Sequence, residues 1–212
     1  MKEIAASILG KENKAELINK LIDKGIKIIH YDVMDGEFVN NTSLPIVEVL
    51  EIFKNTKEHI KDIHLMVNEP SIYIDQVIDQ ANQISVHVES ETMLSLSDLV
   101  EKYHNKTKLG LVVNPSTDIS KVFKYLEKLN HVMIMSVVPG KGGQIFIENS
   151  LNKISDLKKQ MEKVNPKLII EIDGGINNIW GPKVFKYGVN IAVSGSYLIN
   201  NINNNSIKKI LK

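Results

Sequence analysis

The sequence predicts an α/β protein built as one (β/α)8 barrel, the TIM barrel architecture, spanning residues 1–212 as a single domain. Three observations predict it. Short β-branched runs alternate with longer amphipathic segments, the pattern of parallel strands covered by helices. That alternation recurs eight times with short loops and no linker. The length of 212 residues just reaches the usual range of such barrels. A doubly wound open sheet is the alternative, but eight evenly spaced units favour closure.

The elements follow in order. Ile4–Leu9 reads as a strand and Asn13–Lys24 as a helix stopped by Gly25, a C-cap signal. Strand two is Ile26–Met34, followed by a helix over Pro45–Lys54. Ile60–Val67 is strand three, and Pro70 opens a helix to about Gln80, since proline suits the first helical turn. Ile84–Val88 precedes a helix over Ser95–Tyr103, and Lys108–Val113 precedes one over Asp118–Leu126. His131–Val137 leads into a helix over Asn149–Lys163. Leu168–Ile172 leads into Trp180–Tyr187, which ends at Gly188. Asn190–Val193 is strand eight, and one last helix is expected over Tyr197–Leu211.

Composition narrows the function classes. The formal net charge is +1, which gives no electrostatic case for nucleic acid or a membrane surface as partner. No cysteine is present, which excludes disulfides and thiolate metal sites. All the basic residues are lysine, so a phosphate site must use backbone N–H groups, hydroxyls or a lysine point charge. The start of the chain lacks the h-region of a signal peptide, and no apolar run approaches the roughly 20 residues of a membrane span. A soluble, cytoplasmic, single-domain protein is expected.

In this fold the active site forms at the C-terminal ends of the strands. The informative stretch is Ile28–Gly36, an apolar strand that becomes polar at its end. Residues two apart share a strand face, so His30, Asp32 and Met34 point one way and Ile29, Tyr31 and Val33 the other. Taken alone, the stretch favours a buried His–Asp hydrogen bond. The other strand ends reverse that reading. They supply Ser7, His64, Met66, His87, Glu89, Met135 and Asp173 to the same rim. Burying so many ionisable groups without partners costs several kcal/mol each. His30, Asp32, His64 and Asp173 form a ligand set for one divalent metal ion: Zn, Fe(II), Mn or Co.

Glycine-rich segments close three late strands: Gly140-Lys141-Gly142-Gly143, Asp173-Gly174-Gly175 and Ser194-Gly195-Ser196. Glycine lets backbone N–H groups approach an anion, and the loops after the last strands are the usual phosphate site of this fold. The Gly140–Gln144 loop is long enough to act as a lid. Two carboxylates beside one metal point to proton transfer at carbon. A metal on a carbonyl and adjacent hydroxyl stabilises an enediolate, with one Asp removing a proton from one face and the other delivering one to the opposite face. Two acids on one side would fit a retaining isomerase better, and hydrolysis is also open but needs no second acid. Met34, Met66 and Met135 supply a polarisable, dry wall, although any one of them also reads as ordinary core.

These motifs resemble the ribulose-phosphate 3-epimerase family over nearly the whole chain. The matching runs are Ala6-Ser7-Ile8-Leu9, His30-Tyr31-Asp32-Val33-Met34-Asp35-Gly36, Asp62-Ile63-His64-Leu65-Met66-Val67 and His87-Val88-Glu89. They continue with Asn114-Pro115, Met135-Ser136-Val137, Pro139-Gly140, Gly142-Gly143-Gln144, Ile172-Asp173-Gly174-Gly175 and Ser194-Gly195-Ser196. The resemblance implies metal-dependent interconversion of ribulose 5-phosphate and xylulose 5-phosphate at C3, a step of the pentose phosphate pathway. It implies His30, Asp32, His64 and Asp173 as metal ligands and Asp32 with Asp173 as the acid–base pair. It places Ser7, His30, His64 and Asp173 on substrate contacts. Gly140, Gly142, Gly143, Gly174, Gly175, Gly195 and Ser196 fall on the phosphate side. It also implies a homo-oligomer.

The chain departs from the family pattern at three places. Glu37 and Asn40 stand where His and Pro are usual, and Lys141 stands where Phe is usual in the lid. Glu37 is expected to add a carboxylate near the mouth, and Lys141 a positive charge over the phosphate. The rival readings are a 3-epimerase of a hexulose 6-phosphate such as allulose 6-phosphate, and a non-catalytic phosphate-binding barrel. A decarboxylase or aldolase relative would need a lysine at a strand end, and the inner face has none.

Overall fold

The strands are β1 (Glu3–Ser7), β2 (Ile28–Asp35), β3 (Thr42–Ser43), β4 (Ile60–Met66), β5 (Gln83–His87), β6 (Leu109–Val113), β7 (His131–Met135), β8 (Ile169–Asp173) and β9 (Ile191–Ser194) in a computed structural model that describes residues 2–212. The sheet order is β1-β9-β8-β7-β6-β5-β4-β2-β3, and a further β1–β2 pairing closes the ring. Every pairing within the ring is parallel, while β3 adds to β2 in the antiparallel sense. The expected (β/α)8 barrel is therefore the fold.

The α-helices are α1 (Lys14–Asp23), α2 (Ile46–Lys54), α3 (Pro70–Val77), α4 (Leu96–Tyr103), α5 (Ser150–Val164), α6 (Trp180–Tyr187), α7 (Ser196–Ile199) and α8 (Asn204–Leu211). Strand alternation divides the core as expected. Ile29, Tyr31 and Val33 of β2 join the large apolar layer between barrel and helices. Ile28 turns inward and packs with Ala5, Ile191 and Val193, a small apolar cluster inside the barrel. One end of the barrel carries the polar residues.

Three local expectations are corrected. The segment expected as an α-helix over Asp118–Leu126 is a 3-10 helix, Ile119–Lys128. Its buried residues include Ile119, Val122 and Tyr125, spaced by three, which suits a helix with three residues per turn. The last helix breaks into α7 and α8 because the Asn203 side chain accepts from the Ser206 N–H and caps a new start. The two-residue β3 was not expected; it follows the turn after β2 and pairs with Met34 and Asp35.

Register positions the site. Ser7 lies beside His30, and Asp32 beside His64. Met34 lies beside Met66, and Met135 beside Asp173.

Candidate active site

Four donor atoms converge at the polar end of the barrel. His30 Nε2 and His64 Nδ1 are 3.3 Å apart. Asp32 Oδ1 is 3.4 Å from the first and 3.3 Å from the second. Asp173 Oδ2 is 3.9 Å from the first and 3.8 Å from the second. Four ligands at about 2.1 Å from a tetrahedral ion stand about 3.4 Å from one another, so this nitrogen and oxygen set fits a divalent cation with little adjustment. Together these four residues form a group able to hold a metal ion.

The charges in the cluster are set by burial and by neighbours. Burial alone would raise the Asp32 carboxyl, but the His30 and His64 rings outweigh it and hold Asp32 well below the usual carboxylate range. Burial would lower His30, yet Asp62 and Asp32 raise it well above the usual value. His64 is lowered, chiefly by burial. Asp173 moves the opposite way from Asp32: burial, then the charges of Asp32 and Asp62 against the pull of His30, push it up to about 7. Two carboxyl groups thus share one ion site with their proton affinities driven apart.

A cavity of about 240 Å³ opens above this cluster. Ser7, Asp32, Asp173, Met34, Met66 and Met135 line its lower part. The Ser7 hydroxyl donates to Asp32 Oδ2 at 2.8 Å, which holds the carboxylate with its other oxygen toward the ion site. His30 and His64 are fully buried and are not among the residues that line the cavity. Gly140, Lys141, Gly142, Gly143, Gly174, Gly175, Gly195 and Ser196 line the rest, so the three glycine-rich segments meet on one side. At Gly174 φ is +120°, and a Cβ would stand 2.5 Å from Val137 Cγ2, so only glycine lets the chain turn there. Ser136 Oγ donates to the carbonyls of Asp173 and Gly174, fixing the end of β8.

The turn after β2 is built by Asp35. Its Oδ1 accepts from the N–H groups of Glu37 and Phe38, and its Oδ2 accepts from the Asn68 N–H. This directs Glu37 to solvent. Neither Glu37 nor Asn40 is among the residues lining the cavity, whereas Lys141 is. Asn41 Nδ2 donates to the Gly140 carbonyl at 3.0 Å, tying this turn to the lid loop.

Two groups of residues escaped the sequence reading. Lys11 lines the cavity from the loop after β1, where no pattern marks it. A buried polar layer also lies one step below the cluster: Gln83, Ser85, His131 and Glu171, with Asp62 at its edge. Gln83 Nε2 donates to Asp62 Oδ1 at 2.9 Å and to Glu171 Oε2 at 3.2 Å. Burial, reinforced by the Asp62 charge, raises the Glu171 carboxyl well above its usual range, which favours the neutral acid there. The signal for this layer was present. Asp62, Ser85 and Glu171 each precede a strand-end polar residue by two, so they share its inward face.

Comparison with known proteins agrees with this geometry. Residues 3–199 match the model of the "Ribulose-phosphate 3 epimerase family". A ribulose-phosphate 3-epimerase from Aquifex aeolicus (strain VF5) is 39% identical over 202 residues, covering 92% of this chain and 89% of that one. One from Bacillus subtilis (strain 168) is 36% identical over 202 residues, covering 92% and 91%. Among solved structures, a 3-hexulose-6-phosphate synthase superposes with a TM-score of 0.67 at 13% identity, covering 99% of this chain and 97% of that one, which shows a common fold. With the family model spanning nearly all the strands and helices, and relatives this similar along most of their length, the chain belongs to the ribulose-phosphate 3-epimerase family.

Proposed function

We propose that the chain is a divalent-metal-dependent epimerase that interconverts D-ribulose 5-phosphate and D-xylulose 5-phosphate at C3. The observation that carries this reading is the meeting of His30, Asp32, His64 and Asp173 at the floor of a glycine-rimmed cavity. Those four residues would hold the ion (Zn, Fe(II), Mn or Co), which when bound draws charge from the substrate's carbonyl and neighbouring hydroxyl oxygens.

The chain's own groups do the rest. The proton on C3, next to the carbonyl carbon, must be removed from one face and a proton returned to the other to invert that centre. Asp32 is held ionised by His30 and His64 and is ready to accept a proton. Asp173, pushed up to about 7, is ready to give one. From the opposite epimer the roles reverse, as microscopic reversibility requires. Ser7 steadies Asp32 through its hydroxyl, and Met34, Met66 and Met135 keep water from the reacting carbon. Backbone N–H groups of the three glycine-rich segments take the phosphate, and Lys141 supplies a point charge in a chain without arginine.

The test replaces each acid by its amide. Asp32→Asn and Asp173→Asn should each lower C3 epimerisation of ribulose 5-phosphate by about 10²–10⁴-fold, the usual worth of a positioned acid or base. The far-ultraviolet circular dichroism should be unchanged. Near-normal turnover by either well-folded variant contradicts the two-acid assignment.

A further inference from the structure

The His87-Val88-Glu89 run remains unused by the cavity, yet it stands directly behind the donor cluster. Each cluster imidazole turns one nitrogen to the shared point and the other away. His30 turns Nδ1 toward Asp62 Oδ2, 2.5 Å distant. His64 turns Nε2 toward His87 Nε2, 2.8 Å distant. His87 Nδ1 in turn lies 3.2 Å from Glu89 Oε2, and Glu89 Oε1 accepts from the Asn114 N–H at 3.0 Å. His30, Asp62, His64 and His87 are all excluded from solvent, so water does not replace these partners.

A neutral imidazole has one N–H and one lone pair, and a carboxylate only accepts. Asp62 therefore puts the His30 proton on Nδ1 and leaves the Nε2 lone pair facing the cluster. Gln83 donates to the other Asp62 oxygen, which keeps that carboxylate turned toward the ring. The second chain gives the opposite tautomer. Glu89 draws the His87 proton to Nδ1, so His87 Nε2 can only accept. His64 must then carry its proton on Nε2, which leaves the Nδ1 lone pair facing the cluster. The reverse arrangement would set a lone pair of His87 against the Glu89 carboxylate. The outcome is two imidazole nitrogens 3.3 Å apart aimed at one point, which a metal ion would occupy in place of the second proton that the raised His30 ring otherwise holds there.

We propose that Asp62 and the His87–Glu89 pair are positioning residues that preset opposite tautomers, Nδ1–H at His30 and Nε2–H at His64, so that both rings meet the ion as lone-pair donors. The assignment rests on the metal reading above. It gives the His87-Val88-Glu89 run a task that the cavity does not. It also accounts for the grouping of His30, Asp62 and Glu171, whose carboxylates are bridged by the Gln83 amide rather than open to a second ion.

The experiment uses the full chain loaded with Zn²⁺, a diamagnetic probe, with ¹⁵N-labelled histidine. Couplings between the ring nitrogens and ring C–H protons identify which nitrogen keeps its proton. The expected spectrum has protected N–H signals at Nδ1 of His30 and Nε2 of His64. Protons on the opposite nitrogens of either ring overturn the proposal, and this readout needs no variant. Zinc affinity supplies the second arm. Asp62→Leu and His87→Phe should bind about 10–100-fold more weakly. Asp62→Asn and His87→Gln keep an acceptor oxygen and should recover most of that loss. Unchanged affinity in both the Leu and Phe variants overturns the positioning role. Failure of the unsubstituted protein to bind Zn²⁺ overturns the metal reading itself, and this proposal with it.

Discussion

Single residues show how far charge at this site depends on context. Asp32 and Asp173 are the same side chain on the same barrel end, yet one is held ionised between two imidazoles and the other is pushed up to about 7 by burial and neighbouring carboxylates. The sequence made the clustering of His30, Asp32, His64 and Asp173 legible because strand alternation and the barrel rim leave few places for a buried His or Asp. It did not make Lys11 legible, since a loop residue carries no periodicity. His131 shows a buried group with a different consequence. Its ring fills the space over Gly110, where a Cβ would lie 2.1 Å from His131 Nε2, and its one side-chain partner among the described residues is Ser85 Oγ at 2.6 Å. Burial lowers its pKa from the usual 6.5 to about 4. The folded state therefore refuses a proton that the unfolded state takes. The stability that this gives is complete above pH 6.5 and is lost as the pH falls toward 4, by roughly 3 kcal/mol in all. Urea unfolding of the parent and of His131→Gln across that range checks this. The variant should show a shallower decline, and an identical slope would contradict it.

Elements were read well where one signal dominated and poorly where two competed. The apolar runs gave every barrel strand, because a strand buried on both faces has little other pattern. The 3-10 character of Ile119–Lys128 is hard to read within the expected helix because a three-residue spacing and a 3.6-residue spacing diverge by only about one position over two turns. The break between α7 and α8 was missed because asparagine is a fair helix residue by composition but a better cap by hydrogen bonding. Asn203→Ala removes the acceptor for the Ser206 N–H, and should cost about 1 kcal/mol of unfolding free energy. No change in the midpoint of denaturation would show that the break has another cause. Helix α5 contributes differently: its Lys153 ammonium donates to the carbonyls of Asn114, Pro115 and Thr117. That contact anchors the loop after β6, whose Asn114 N–H also holds Glu89.

At the scale of the molecule, ring closure converts separate strand ends into a site. β1, β2, β4 and β8 carry Ser7, His30, Asp32, His64 and Asp173, which are far apart in sequence and meet only because β1 pairs with both β2 and β9. β2, β4 and β7 add Met34, Met66 and Met135, and the loops after β7, β8 and β9 add the glycine-rich rim. Among the described residues no helix is long and apolar enough to cross a membrane. The fold and the grouping of the four rim residues were both legible because closure follows from counting βα units, and the grouping follows from closure. The polar layer below it is less legible, because Asp62, Ser85 and Glu171 sit singly inside strands that otherwise read as apolar buried runs. The central claim is that Asp32 and Asp173 act as separate acids on the two faces of C3. The most direct test incubates ribulose 5-phosphate with the metal-loaded protein in D₂O and follows C3 by NMR. The account predicts xylulose 5-phosphate carrying one deuterium at C3, delivered by a carboxyl group that has exchanged with solvent. Xylulose 5-phosphate that retains the original hydrogen at C3 would contradict it.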